Sequence, residues 1–248
     1  MIINSSSEYN AFREGGRMLA ALTQKLAKAI EPGKSAYDID ELAKKLAFEA
    51  GVETAFEGYQ DFPGAVCISL NDEVAHGVPH NDKIFKEGDI VSLDFGIVHK
   101  GFYTDYAITF GLGNMSIEKQ ALIEVTEKAL EAGIQAVRAG IRTGDIGAAI
   151  EEFVLQKGRF GIVRKLVGHG IGTQIHEEPR IPNFGMRETG YKLSVGEVIA
   201  IEPMITLGSS EIKRDRDNQT YKTVDGSLSA HFEKTMIVKE NGAEVVTQ

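Results

Sequence analysis

Asp94, Asp105, Glu202 and Glu233 are the residues hardest to explain as ordinary surface acidity. Asp94 ends the run Gly88-Asp89-Ile90-Val91-Ser92-Leu93-Asp94, and Glu202 ends the run Gly196-Glu197-Val198-Ile199-Ala200-Ile201-Glu202. Near-continuous apolar runs rich in β-branched residues suit strands buried on both faces. An ionised carboxylate in such a strand is costly unless it is paired or bound to a cation. Asp105 lies on Phe102 to Phe110, the return arm of a hairpin that continues from Asp94, so the two aspartates are expected to face each other across neighbouring strands. Glu233 stands at the start of the expected strand Phe232 to Val238, with a hairpin following at Asn241-Gly242.

Four carboxylates converging without a cation would repel one another and drive their pKa values upward. A dinuclear divalent centre removes the conflict, since carboxylates bridge two ions roughly 3.5–4 Å apart. The alternative is separate pairing with Lys or Arg at strand ends; it suits Glu233 taken alone, beside Lys234, but not the set. Gly168-His169-Gly170-Ile171-Gly172 surrounds one imidazole with small residues, which lets backbone and ligand approach closely. Two further histidine segments are His76-Gly77-Val78-Pro79 and His176-Glu177-Glu178-Pro179, whereas His80, His99 and His231 are assigned to packing or the surface. One histidine among carboxylates suits Mn, Fe(II), Co or Zn rather than a structural zinc, which prefers Cys and His.

The elements that must position these groups come in two similar sets. Gly33, Asp38, Ile39, Leu46 and Gly51 correspond in order to Gly140, Asp145, Ile146, Phe153 and Gly158. Both segments have the apolar spacing of amphipathic helices, with Ser35 and Asp38 as a capping box in the first and Thr143 as N-cap in the second. Each follows another helix, one striped by Met18, Leu22, Leu26 and Ile30, the other by Leu122, Val125, Ala129, Ile134 and Val137. Helix, helix, strands, twice over, predicts a pseudo-symmetric α/β (α+β) protein rather than a solenoid of many short repeats. Residues 1–248 are taken as one domain with halves of about 1–110 and 111–248.

Composition narrows the function classes. The chain is 42% hydrophobic, enough for a substantial core, and its net charge of −9 argues against nonspecific nucleic-acid binding. No segment is long and apolar enough to cross a bilayer and the N-terminus lacks a signal-peptide pattern, so a cytoplasmic protein is expected. Cys67 is the only cysteine, which excludes an intrachain disulfide and a Cys-based zinc site.

At these residues the chain resembles the type I methionine aminopeptidases of bacterial type. The resemblance rests on Val66 to Pro79, Gly168 to Gly172, His176 to Pro179, Ile201-Glu202-Pro203-Met204 and Ser229-Ala230-His231-Phe232-Glu233. It implies the pita-bread fold and two divalent ions held by Asp94, Asp105, His169, Glu202 and Glu233, with Asp105 and Glu233 bridging. It further implies that Glu202 moves a proton from the attacking water, that His176 bonds the scissile carbonyl, and that His76 contacts the peptide nitrogen. Tyr59, Phe62, Cys67 and Ile175 would surround the methionine side chain. Gln219 stands where relatives commonly have an aromatic cover, and Lys234 where a histidine is common. The implied substrates are N-termini of nascent polypeptides at the ribosome, with a small second residue, and the implied state is a monomer. An X-Pro peptidase on the same fold, or a non-catalytic binding protein that kept it, are the competing functions.

Overall fold

Helix formation follows the expected stripes and caps, with one exception. The computed structural model describes residues 1–248. Helix α1 (Ser6–Ala29) is entered through Ser5, whose hydroxyl accepts the Glu8 N–H, and buries Leu19, Leu22 and Leu26 along one side. Helix α2 (Ala36–Ala50) opens with the expected box: Ser35 Oγ accepts from the Asp38 N–H at 3.1 Å and the Asp38 carboxylate accepts from the Ser35 N–H at 2.9 Å. This satisfies two donors that a helix start leaves without partners. Helices α3 (Ile117–Ala136) and α4 (Thr143–Lys157) repeat the pair. Thr143 is not the cap of α4; Arg142 is, its N–H bonded to the Asp145 carboxylate at 2.8 Å. Asp145 supplies that bond whatever side chain precedes it, and the Thr143 hydroxyl instead accepts from the Tyr191 N–H.

The strands of the first half are β1 (Glu53–Thr54), β2 (Val66–Leu70), β3 (Glu73–Ala75), β4 (Ile90–His99) and β5 (Phe102–Gly111). Those after α4 are β6 (Gly161–Ile162), β7 (Gly168–Gly170), β8 (Glu177–Ile181), β9 (Val198–Ile201), β10 (Met204–Thr206) and β11 (Ile212–Arg214). The last four are β12 (Tyr221–Thr223), β13 (Ser229–His231), β14 (Glu233–Lys239) and β15 (Gly242–Val245). The central antiparallel sheet runs β1-β4-β5-β14-β9-β7-β8, with β2 on β4 and β15 on β14. Strand β14, near the end of the chain, therefore joins the two halves.

Alternation along each strand sorts the side chains onto two faces. Val91, Leu93, Phe95 and Ile97 of β4 pack with Leu19, Leu26 and Ile39 of the first helix pair. Ile199 and Ile201 of β9, with Met236 and Val238 of β14, pack with Leu122, Leu130, Ile146 and Ile150 of the second. Asp94, Asp105 and Glu233 carry the other parity and lie on the face that the helices leave uncovered.

Three details differ from expectation. Asp94 pairs with Ala107, and Asp105 with Gly96, so the aspartates are diagonal rather than opposed, still within reach on one face. Glu202 lies just past the end of β9, where Asn183 Nδ2 donates to its backbone carbonyl at 3.1 Å. The last hairpin turns at Glu240-Asn241, because Lys239 pairs with Gly242.

Thr235 fixes β14 against β5: its hydroxyl accepts from the Asp105 N–H at 2.9 Å and donates to the Asp105 carbonyl at 2.8 Å. Thr235→Val keeps the shape and orphans both buried backbone groups. We expect a loss of about 1–3 kcal/mol, read as a lower midpoint in urea or thermal unfolding. An unchanged midpoint would show that Thr235 does not hold this register.

Candidate metal centre

Strand register carries the acids to one place. Ala107 has Asp94 on one side and Glu233 on the other, and its single methyl leaves the space between them open. Lys234 pairs with Ile201, which brings Glu233 alongside Glu202. β7 lays His169 opposite Ala200 on the same face. The glycines around His169 are required for this: a Cβ on Gly168 would run into the Ala200 carbonyl, and one on Gly170 into the Glu178 carbonyl.

Ligand atoms of Asp105, His169 and Glu233 lie within 4.8 Å of one another. His169 Nε2 is 3.6 Å from Glu202 Oε1 and 3.8 Å from Glu233 Oε1. Its Nδ1 is 2.9 Å from the Gly170 carbonyl, which can only accept, so Nδ1 carries the proton and Nε2 turns a lone pair towards the acids. Asp94 Oδ1 and Glu233 Oε1 are buried with no hydrogen-bond partner. Within 4.0 Å Glu202 and Glu233 meet imidazoles, and none of the four carboxylates meets a lysine or arginine. Separate ion pairs are thereby excluded. Lys234, the obvious partner for Glu233, points to the opposite face, over the Tyr106 ring at 4.3 Å and onto the Thr247 carbonyl at 2.6 Å. An oxygen-rich donor set with one imidazole lone pair and orphaned carboxylate oxygens fits divalent metal.

Electrostatics agree. Burial, then neighbouring carboxylates, pushes Asp94, Glu202 and Glu233 well above the usual carboxylate range. Burial raises Asp105 to about 7, with the Tyr106 N–H and Asp94 pulling the other way. His169 falls to about 3, chiefly through burial, and so is neutral at pH 7. The Cys67 thiol, facing Asp94 across β2 and β4, is pushed up by burial and then by that charge, which rules it out as a nucleophile.

The acids floor a cavity of about 90 Å³. At 10–15 Å³ per water this is roughly six to nine water positions, room for one side chain rather than several. Its walls include Tyr59, Phe62, Cys67, His76, His176 and Gln219 from the expected set. Ile175 does not line it; that side chain is buried behind the wall with Phe62 and Cys67. Two lining residues, Phe56 and Gln60, were not expected; no feature of the sequence marks Phe56, whereas Gln60 adjoins Tyr59. At the mouth, Gln219 Nε2 donates to the Gln60 carbonyl at 2.9 Å. Burial lowers His76 to about 4, with His176 adding to the effect. Partial burial also lowers His176, although the residue is among the exposed ones.

His231 is not an ordinary packed residue. It is buried, its Nε2 has no hydrogen-bond partner, and that atom lies 3.7 Å from Glu202 Oε2. Its signal in the sequence was the spacing of two from Glu233. His80 and His99 are peripheral as expected, beside Asp217 and Glu14.

The sequence profile of metallopeptidase family M24 matches residues 10–240. The chain belongs to this family. It is 39% identical over 248 residues to methionine aminopeptidase 1 of Bacillus subtilis, covering 100% of this chain and 99% of that one. The crystal structure of a methionine aminopeptidase from Thermotoga maritima matches with a TM-score of 0.96 and 42% identity over the whole of both chains. A prolidase from Pyrococcus horikoshii matches all of this chain and 63% of its own, with a TM-score of 0.79 at 19% identity, which shows a shared fold. The fold is the pita-bread fold expected from the sequence.

The raised pKa values have a measurable consequence. A carboxyl whose folded pKa lies above its unfolded value of about 4 favours folding while protonated, and that contribution is lost as pH rises through the folded value. Asp105, raised to about 7, and the three acids raised with it are therefore biased towards their protonated forms in the metal-free protein, and a cation must displace the protons so held. Titrating Mn²⁺ into metal-free protein between pH 7 and 8, in buffers of different ionisation enthalpy, should show net proton release and an affinity that rises with pH. Binding without proton release would contradict the raised carboxyls.

Proposed function

We propose that this protein is a metal-dependent methionine aminopeptidase that removes the initiator methionine from nascent polypeptides when the second residue is small. The observation that supports this most directly is the juxtaposition of the buried acids and His169 with a cavity sized for one side chain. We take residues 1–248 as one catalytic unit acting as a cytoplasmic monomer on chains emerging from the ribosome. No helix is long and apolar enough to cross a membrane.

The chemistry assigns roles to this chain's residues. Asp94, Asp105, His169, Glu202 and Glu233 would hold two divalent ions, Co, Mn, Fe(II) or Zn. Such ions supply Lewis-acid polarisation of the carbonyl and a lower pKa for the attacking water. Glu202, beyond the end of β9 and 13% exposed in its side chain, has the freedom to take the proton of that water and pass it to the departing amine. His176, neutral at pH 7, would donate to the carbonyl oxygen as negative charge develops there. His76, also neutral, stands in the wall where it can meet the peptide nitrogen. Phe56, Phe62 and Cys67 offer the methionine side chain an apolar wall, with Tyr59 and Gln219 at the mouth. Seating that side chain in so small a cavity would leave the second residue near the Gln60–Gln219 contact, where bulk would be penalised.

The deciding assay compares Met-Ala-Ser, Met-Lys-Ser and Ala-Pro peptides with metal-loaded and exhaustively chelated protein. Methionine should leave Met-Ala-Ser about 100-fold faster than Met-Lys-Ser, with little release after chelation and none of consequence from Ala-Pro. Equal cleavage of the two methionyl peptides would refute the specificity. Preference for Ala-Pro would make the protein an X-Pro peptidase, and metal-loaded protein inert on all three would leave a binding protein. His176→Ala should lower kcat by roughly 10²- to 10³-fold, the usual loss for an oxyanion donor, at unchanged metal content. Arrival without metal would make His176 a ligand.

A further inference from the structure

His169 and His176 are ring neighbours, their centroids 4.4 Å apart and nearly perpendicular, yet their Nδ1 atoms have opposite kinds of partner. That of His169 meets the Gly170 carbonyl, an obligatory acceptor. That of His176 lies 2.9 Å from the Tyr59 hydroxyl. The hydroxyl can donate or accept, and Gln60 Nε2, an amide N–H that can only donate, already occupies one of its acceptor positions at 3.2 Å. That leaves the phenolic proton free to point at His176 Nδ1, and in that arrangement Nδ1 is the unprotonated nitrogen.

We propose that Tyr59, aligned by the Gln60 amide, is a positioning residue that sets His176 in the Nε2–H tautomer, opposite to that of its neighbour His169. The two imidazoles acquire complementary jobs from their second partners: His169 offers an Nε2 lone pair, and His176 presents an Nε2 proton towards the cavity. The relay does not depend on the metal. It also accounts for an imidazole that sits against the donor set without joining it, because its inward nitrogen has no lone pair to give. The segment Gly58 to Asp61 is shaped for this contact. Gly58, Gln60 and Asp61 all take positive φ, at 81°, 49° and 64°, and the Gln60 carbonyl is anchored by Gln219 Nε2 at 2.9 Å. That backbone anchor leaves the Gln60 side chain free to reach Tyr59. The role given to the Nε2 proton rests on the aminopeptidase reading; the tautomer itself does not.

Gln60→Glu and Gln60→Met separate this from a merely structural contact. A carboxylate at position 60 accepts the Tyr59 proton, turns the hydroxyl round and draws a proton onto His176 Nδ1; methionine keeps the size and removes the directing group. In ¹⁵N-histidine-labelled, metal-free protein at pH 7.5, two-bond ¹H–¹⁵N spectra, assigned with His176→Gln, should show His176 as the Nε2–H tautomer in the wild type and mainly Nδ1–H in Gln60→Glu. With metal restored and a Met-Ala-Ser substrate, Tyr59→Phe should lose about 10- to 100-fold in kcat, the range for a lost partner that orients a functional imidazole. KM should stay within about twofold, since the missing interaction acts in the transition state. Gln60→Glu should be slower than Gln60→Met. A wild-type Nδ1–H tautomer, or Gln60→Glu matching Gln60→Met in both spectrum and kcat, would overturn the proposal. If the wild type released no methionine, the aminopeptidase reading would fall, and the spectra would still decide the tautomer.

Discussion

Like charges confined to one face of one sheet govern this molecule. Asp94, Asp105 and Glu233 sit on adjacent strands with Glu202 alongside, buried or nearly so, and no lysine or arginine reaches any of them. Burial limits the access of these groups to bulk water, and the protein does not fully compensate, because two of the carboxylate oxygens are left without donors. Either protons or cations must supply the missing positive charge. Around that demand the fold is arranged: the helices pack against one face of the sheet, and the acids gather on the other.

Period-two alternation is what makes the arrangement tolerable. Each acid has at least one apolar neighbour in sequence that joins a helix-packed core: Leu93 and Phe95, Tyr106, Ile201 and Phe232. Lys234 illustrates the insulation. It follows an acid of the centre, yet it stacks on Tyr106 on the far face and stays out of the cavity lining. Gln219 does act at the cavity, because it lies on a loop where no alternation protects the site.

Much of this was legible in the chain because it is written at short range. Apolar runs ending in acids, the two helix pairs, the Ser35–Asp38 box and the glycines flanking His169 are each encoded within a few residues. The order of the sheet is not. Nothing near Glu233 announces that β14 inserts between β5 and β9, since pairing depends on which edges remain free after the rest has folded. The same limit hid the diagonal offset of Asp94 and Asp105 and the burial of His231 against Glu202. Thr143 looked like a cap by residue type, and Asp145 made the cap unnecessary through its own carboxylate. Phe56 and Gln60 reached the cavity by the path of a loop, which hydrophobic periodicity does not describe.

The central place of β14 also bears on how the molecule comes into being. β4 and β5 can pair through the tight turn at Lys100-Gly101 as soon as both exist, but Asp105 and Thr235 lie 130 residues apart in sequence. Contacts of that range form late and slowly. Until β14 has been made, the second edge of β5 lacks the strand that pairs with it in the folded protein. The site is assembled when β14 arrives, so a ribosome must complete nearly the whole polypeptide before the hydrolytic centre exists.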